Sequence, residues 1–198
     1  MSASFQQEIP VLPVVIPLGI AVSALLLWRL GAKELFSIPR ALVAAALGIY
    51  AAGIVGNTIF PIYLHPLVTS NPFTDFDDWM QGIVFVPFAD YEFMDFAINA
   101  LVFLPLGMLF SLLFTKPSWW KVLLAVTATS LGIELTQLVT QSYFGGGHIA
   151  DSSDLVSNVV GGVAGYLLLV ILCRLPWFAR FADRFRWSVK PTGSAASR

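Results

Sequence analysis

Glu134 stands inside a long apolar run, in register with Thr127, Ser130, Gln137 and Gln141 at spacings of 3, 4, 3 and 4 residues. At about 100° per residue these five fall within an arc of about 80°, a polar stripe down one helical face. Asp151, Asp154, Asn158, Gly161 and Gly165 repeat that spacing at the start of the next apolar run. Asp95 and Asn99, four apart, open a third. A charge in the middle of a bilayer costs about 2.5–3.5 kcal/mol on insertion scales, so such residues call for a compensating role. Asn99, Gln137, Asp154 and Asn158 can hydrogen-bond sugar hydroxyls or amides, and His148 can contact an anionic group. Paired carboxylates in unlike environments can also divide acid and base roles. On that chemistry the catalytic candidates are Glu134 as buried acid and Asp151 or Asp154 as base. His148 with the three carboxylates can hold a hard divalent ion, although no metal and no cofactor is expected. No GxSxG nucleophile motif and no phosphate-cradling loop is present.

Five apolar stretches must position these groups: residues 11–30, 41–64, 96–114, 120–139 and 155–173. Each approaches or reaches the roughly 20 helical residues that cross a hydrocarbon core of about 30 Å. The expected fold class is all-α, a polytopic integral membrane helical bundle of five transmembrane helices. The basic residues set its orientation. Arg29, Lys33 and Arg40 lie between the first two runs, Lys116 and Lys121 between the third and fourth, and Arg174, Arg180, Arg184, Arg186, Lys190 and Arg198 after the fifth. These are all 11 Lys and Arg, and they occupy alternate connections, the positive-inside pattern. The N-terminus is therefore expected outside and the C-terminus in the cytoplasm. The opening MSASFQQEIP carries no basic residue, so the first run reads as an uncleaved anchor rather than a signal peptide. In this arrangement the three polar faces share a depth near the outer leaflet. They can satisfy one another only across a common interior or a water-filled cavity.

The chain is 198 residues long, 57% hydrophobic and 12% charged, with a mean hydropathy of +0.78. A soluble domain carries about twice that charge, which excludes a disordered chain, a coiled coil and a typical cytosolic enzyme. No basic surface interleaved with aromatics lies outside the membrane flanks, so nucleic acid is not an expected partner. Cys173, the single cysteine, reads as a small buried apolar side chain. The outer segment 65–95 is acidic and aromatic and reads as an ordered cap or a solvated loop. His65 reads as a surface histidine. Trp28, Trp79, Trp119, Trp120, Trp177 and Trp187 read as interfacial anchors. Pro105 predicts a kink in the third span, Gly161 and Gly165 predict close helix packing, and Asn57 either joins the polar cluster or caps its helix. The segment LPWFARFADRFRWSVK predicts an amphipathic helix on the anionic cytoplasmic leaflet, followed by a disordered end.

Four elements in order make the sequence resemble the VanZ-like family of bacterial membrane proteins. They are FVPF ending at Phe88, NALVFLPLG from Asn99 to Gly107, SLGIELTQ from Ser130 to Gln137, and HIADSSDLVSNVVGGVAG from His148 to Gly165. The resemblance covers about residues 85–169. It departs at His148, where the family usually carries Arg: a permanent cation that can fork onto a carboxylate or phosphate, unlike a largely neutral imidazole. The resemblance implies location in the bacterial cell membrane and an association with resistance to teicoplanin, a lipid-tailed glycopeptide.

The resulting division is 1–40 as N-terminal anchor and cytoplasmic loop, 41–173 as VanZ-like membrane domain, and 174–198 as cytoplasmic amphipathic helix and tail. The leading functional expectation is a ligand site of Asn99, Glu134, Gln137, His148, Asp151, Asp154 and Asn158 at the outer leaflet. Its expected partners are membrane lipids and a lipid-linked cell-wall precursor or a lipoglycopeptide. The alternatives are a membrane enzyme acting on an envelope lipid or saccharide, and a structural polar network that locks three helices. A transporter lacks the inverted halves many such proteins show, unless a homodimer supplies the symmetry.

Overall fold

The computed structural model describes residues 8–62, 83–88, 92–114, 118–144 and 150–187. His65, Trp79, His148, Lys190 and the C-terminal end lie outside the described residues, as does most of the 65–95 segment. Within them the chain is all-α apart from one pair of two-residue strands. The elements are α1 (Leu12–Ala32), α2 (Ile38–Thr58), β1 (Ile83–Val84), α3 (Phe93–Leu113), α4 (Trp119–Phe144), β2 (Ala150–Asp151), α5 (Ser152–Leu172) and α6 (Pro176–Asp183). Five of the helices are long and apolar enough to cross a membrane. Proline in the first turn of α1, α2 and α6 pre-sets the helical φ where no N–H partner is needed.

The expected spans hold, with shifted ends. The second helix stops at Thr58 rather than 64, because Ile59–Pro61 leaves the helical path. The fourth runs on to Phe144 rather than 139, its polar stripe extending to Gln141. The third begins at Phe93 and continues through Pro105 as one element.

Helices α3 and α5 form the tightest pair in the bundle. Their contact is made of residues without bulk. A Cβ added at Gly161 would strike the carbonyl of Ala100, one at Gly165 the carbonyl of Leu104, and one at Gly107 the carbonyl of Gly162. Backbone meets backbone here, which is how helices gain dispersion contact where lipid removes the hydrophobic drive. Both helices leave short strands that pair in parallel, Ile83 with Ala150 and Val84 with Asp151. The two helices therefore start side by side and run the same way, with α4 antiparallel against them. A buried cluster of Val43, Leu47, Ile54, Phe103, Leu106, Val122, Val126 and Ile133 joins α2 to α3 and α4. Helix α1 packs chiefly on α2, where Gly19 and Gly48 let the two backbones touch.

The end of the bundle that carries Trp187 corrects two expectations. Trp187 is not an interfacial anchor: it is buried among Leu30 and Ala44, and its backbone N–H donates to the Leu112 carbonyl at 3.0 Å. Its indole follows the chain back under the bundle, because Arg40 reaches from α2 to hold that return. Arg40, 4% exposed, donates to the carbonyls of Arg186 at 2.8 Å and Leu35 at 2.9 Å. Cys173 is half-buried rather than buried, and accepts a contact from the Arg186 guanidinium at 3.4 Å. Trp28, Trp119, Trp120 and Trp177 are all exposed.

Candidate functional site

Helix α4 places its polar stripe inward: Ser130, Glu134 and Gln137 are buried while Leu131, Leu135 and Val139 face out. Each inward side chain meets a different element. Ser130 Oγ accepts from Asn158 Nδ2 on α5 at 3.0 Å. Glu134 Oε2 accepts the N–H of Asp151 at 2.9 Å, where β2 gives way to α5. Gln137 Nε2 donates to the carbonyl of Thr58 at 2.8 Å. Thr58 ends α2, so its carbonyl is one of those a helix terminus leaves without an internal partner. On α3, Asn99 Nδ2 donates to Asp154 Oδ1 at 2.6 Å.

These four bonds fix the level of the cluster. Glu134 lies where α5 begins, and α4 continues ten residues past it, about 15 Å at 1.5 Å per residue. An outer end of α4 at residue 139 would have put Glu134 about 8 Å below it. The strand pair is thus set against the side of α4, about 15 Å short of that helix's C-terminal end. Phe88, with φ 63°, closes the β1 side by donating its N–H to Ser153 Oγ at 3.0 Å.

A cavity of about 560 Å³ lies beside the cluster, between α2, α3, α4 and α5. Asn99, Glu134, Gln137, Asp154 and Asn158 line it, so five of the seven expected ligand-site residues converge. Asp151 is placed apart from that lining: its Oδ1 accepts from Ser153 N at 2.7 Å and caps α5. His148 lies outside the described residues. Asp95 is exposed, so of the pair that opens α3 only Asn99 reaches the cavity. Buried Ile54, Phe103 and Ile133 form an apolar wall. Exposed Ile49, Gly53 and Asn57 of α2 and Ile98 and Val102 of α3 form the rim. The cavity therefore opens sideways between α2 and α3, onto the surface that lipid covers.

On α2 the contributor that the sequence reading passed over is Tyr50. Tyr50 lines the cavity and its hydroxyl donates to the Val102 carbonyl, tying α2 to α3 at the rim. A hydroxyl inside the second apolar run was the available signal. Asn57 lines the cavity, the first of its two expected roles, and its amide donates to the Gly53 carbonyl within its own helix at 2.7 Å rather than capping the helix end. One oxygen each of Gln137 and Asn158 is buried without a partner. The orientation of Gln137 is fixed chemically, since Thr58 offers only an acceptor and must meet the amide NH2. Among the described residues no cluster of three or more His, Cys, Asp or Glu side chains is arranged to hold a metal ion.

Five helices long and apolar enough to cross a membrane, four of them around a polar-floored cavity, define a helical integral membrane protein. A family model described as VanZ/LLP1 matches residues 47–173, and the chain belongs to that family. The match begins within α2 and so takes in Tyr50 and Asn57 as well as every described cavity-lining group of α3, α4 and α5. No curated protein and no solved structure matches the chain.

Proposed function

We propose that this protein resides in the bacterial plasma membrane and binds an amphiphilic envelope molecule in the cavity between α2 and α3. In this reading binding is the basis of a role in resistance to glycopeptides of the teicoplanin kind. One observation carries the proposal. Asn99, Glu134, Gln137, Asp154 and Asn158 converge on one cavity from α3, α4 and α5, beneath a largely apolar rim. A polar group taken out of water without partners costs about 1–3 kcal/mol, and a ligand carrying O–H or N–H groups supplies partners to a lining of this kind. The neighbouring Glu134 and Asp154 carboxylates also accept. The polar part of the ligand is therefore rich in donors, as sugars, amides and ammonium groups are. The sideways opening supports entry of such a molecule from the leaflet rather than from water.

The test is teicoplanin susceptibility in a susceptible host carrying the gene. Glu134→Gln and Asp154→Asn are expected to bring the inhibitory concentration down to the empty-vector value while the membrane level of protein is unchanged. Full protection in both variants would overturn the proposal. Loss of protection together with loss of the folded protein would favour a network that serves packing alone, as the four inter-element hydrogen bonds allow.

An enzyme reading keeps Glu134 and Asp154 as an acid–base pair, since both line the cavity, and loses Asp151 to its capping bond. Lipid mass spectrometry of cells with and without the protein separates the two. A changed headgroup profile means catalysis, and an unchanged one favours binding.

A further inference from the structure

We infer that the apolar groove between α1 and α2 holds the acyl chain of a single-chain amphiphile whose donor-rich head occupies the polar cavity, because Ile49 borders both. The inference rests on the proposed binding function and specifies the ligand class. The groove has a volume of about 450 Å³. Ile16, Ile20, Ala24 and Leu27 of α1 and Ile49 and Ala52 of α2 line it. Its depth comes from the helix contact beneath it. Gly48 faces Gly19 and Ser23 so closely that a Cβ at Gly48 would strike both, and the groove runs along this close contact with Gly19 and Ser23 in its lining.

Depth supports continuity with the cavity. Thr58 lies at the level of Gln137, and Ile49 is nine residues further down α2, about 14 Å deeper at 1.5 Å per residue. Half a hydrocarbon core is about 15 Å, so Ile49 lies near mid-bilayer, and the groove runs from the cavity's half of the bundle at Ile16 past that level to Leu27; a chain descending from the cavity meets its nearer part. Ile16 to Leu27 spans about 16 Å along α1. The lining carries one hydroxyl, Ser23, and no charge. Ile49 is 74% exposed on the face of α2 between the two spaces. A chain leaving the polar floor crosses it to reach α1. The occupant is thus one molecule bridging both spaces, rather than a protein partner seated on α1.

The experiment uses the full chain in phosphatidylcholine nanodiscs. The probe is an N-acylglucosamine with a twelve-carbon chain and a diazirine at mid-chain, photolysed and mapped by mass spectrometry. Saturable adducts are expected within residues 16–27. Excess unmodified twelve-carbon amphiphile should reduce them at least fivefold, and N-acetylglucosamine should compete at least tenfold less well. Ala24→Phe fills the groove from an exposed position, and Ile49→Trp blocks the crossing; each should cut the labelling at least fivefold with thermal unfolding unchanged. Saturable labelling that stays on Ile98 and Val102 and ignores both variants would overturn the groove while leaving the head site intact. Labelling of 16–27 that excess amphiphile does not displace means bulk lipid only and would also overturn it. Absence of any saturable labelling would overturn the head site and the groove together.

Discussion

A carboxylate just ahead of a helix serves the backbone before it serves anything else. Asp151 accepts from Ser153 N, and its own N–H is held by Glu134. Asp151→Ala should lower stability by about 1 kcal/mol, the ordinary cost of a lost N-cap, while Asp151→Asn retains most of it. Unfolding in mixed micelles measures both. Asp154 is different, because its partner Asn99 comes from another helix and both border the cavity. A double-mutant cycle on Asn99→Ala and Asp154→Ala should give a coupling of about 0.6 kcal/mol and no more than about 1.7. A coupling so small against a complete loss of function in either single variant would separate binding from packing. These residues were legible because a polar side chain in an apolar run is conspicuous. Arg40 and Trp187 were not legible. A cation at a helix start and an aromatic in a tail look like membrane-interface anchors until the fold carries one beneath the other.

The α3–α5 pair is where an element-scale argument decides. Gly107→Ala, Gly161→Ala and Gly165→Ala each set a methyl against a backbone carbonyl, which cannot step aside as a side chain can. Each should cost about 1–3 kcal/mol, the range for overpacking. Gly132 meets nothing within 4 Å, so Gly132→Ala should be neutral or gain up to about 1 kcal/mol from helix propensity. Comparing the four apparent melting temperatures checks this, and equal effects at Gly132 and Gly165 would contradict it. Half of this contact was visible as a stripe of small residues ahead of any structure. The other half was not, because Ala100 and Leu104 carry no mark that distinguishes a packed face from a lipid-facing one. The strand pair was equally hidden: two residues on each side are too few for a period, and its partners lie 67 positions apart.

At the scale of the molecule the two ends of the bundle are held by unlike means. The orientation expected from the basic residues would put the polar cavity outside and the Arg40–Trp187 clasp inside. In a Cys173→Ala background, Glu8→Cys should react with an impermeant maleimide in intact cells, and Arg184→Cys only after permeabilisation; the reverse pattern would place the cavity on the cytoplasmic side and overturn the orientation. The five spans and their order were readable because bilayer thickness fixes a length that composition alone reveals. The return of the tail was not, since it depends on one buried cation choosing carbonyl partners. That clasp lies at the opposite end from the cavity, and the separation gives a sharp expectation. Trp187 fills a space between Leu30 and Ala44, so Trp187→Ala leaves a void and should cost about 3–5 kcal/mol, with Trp187→Phe recovering part of it. Amphiphile affinity per folded molecule should stay at the wild-type value in both, because no described residue of the clasp borders the cavity. A drop in affinity beyond the loss of folded protein would mean that the inner end sets the spacing of α2 and α3 at the outer one. The bundle would then act as one lever rather than two independently fastened ends.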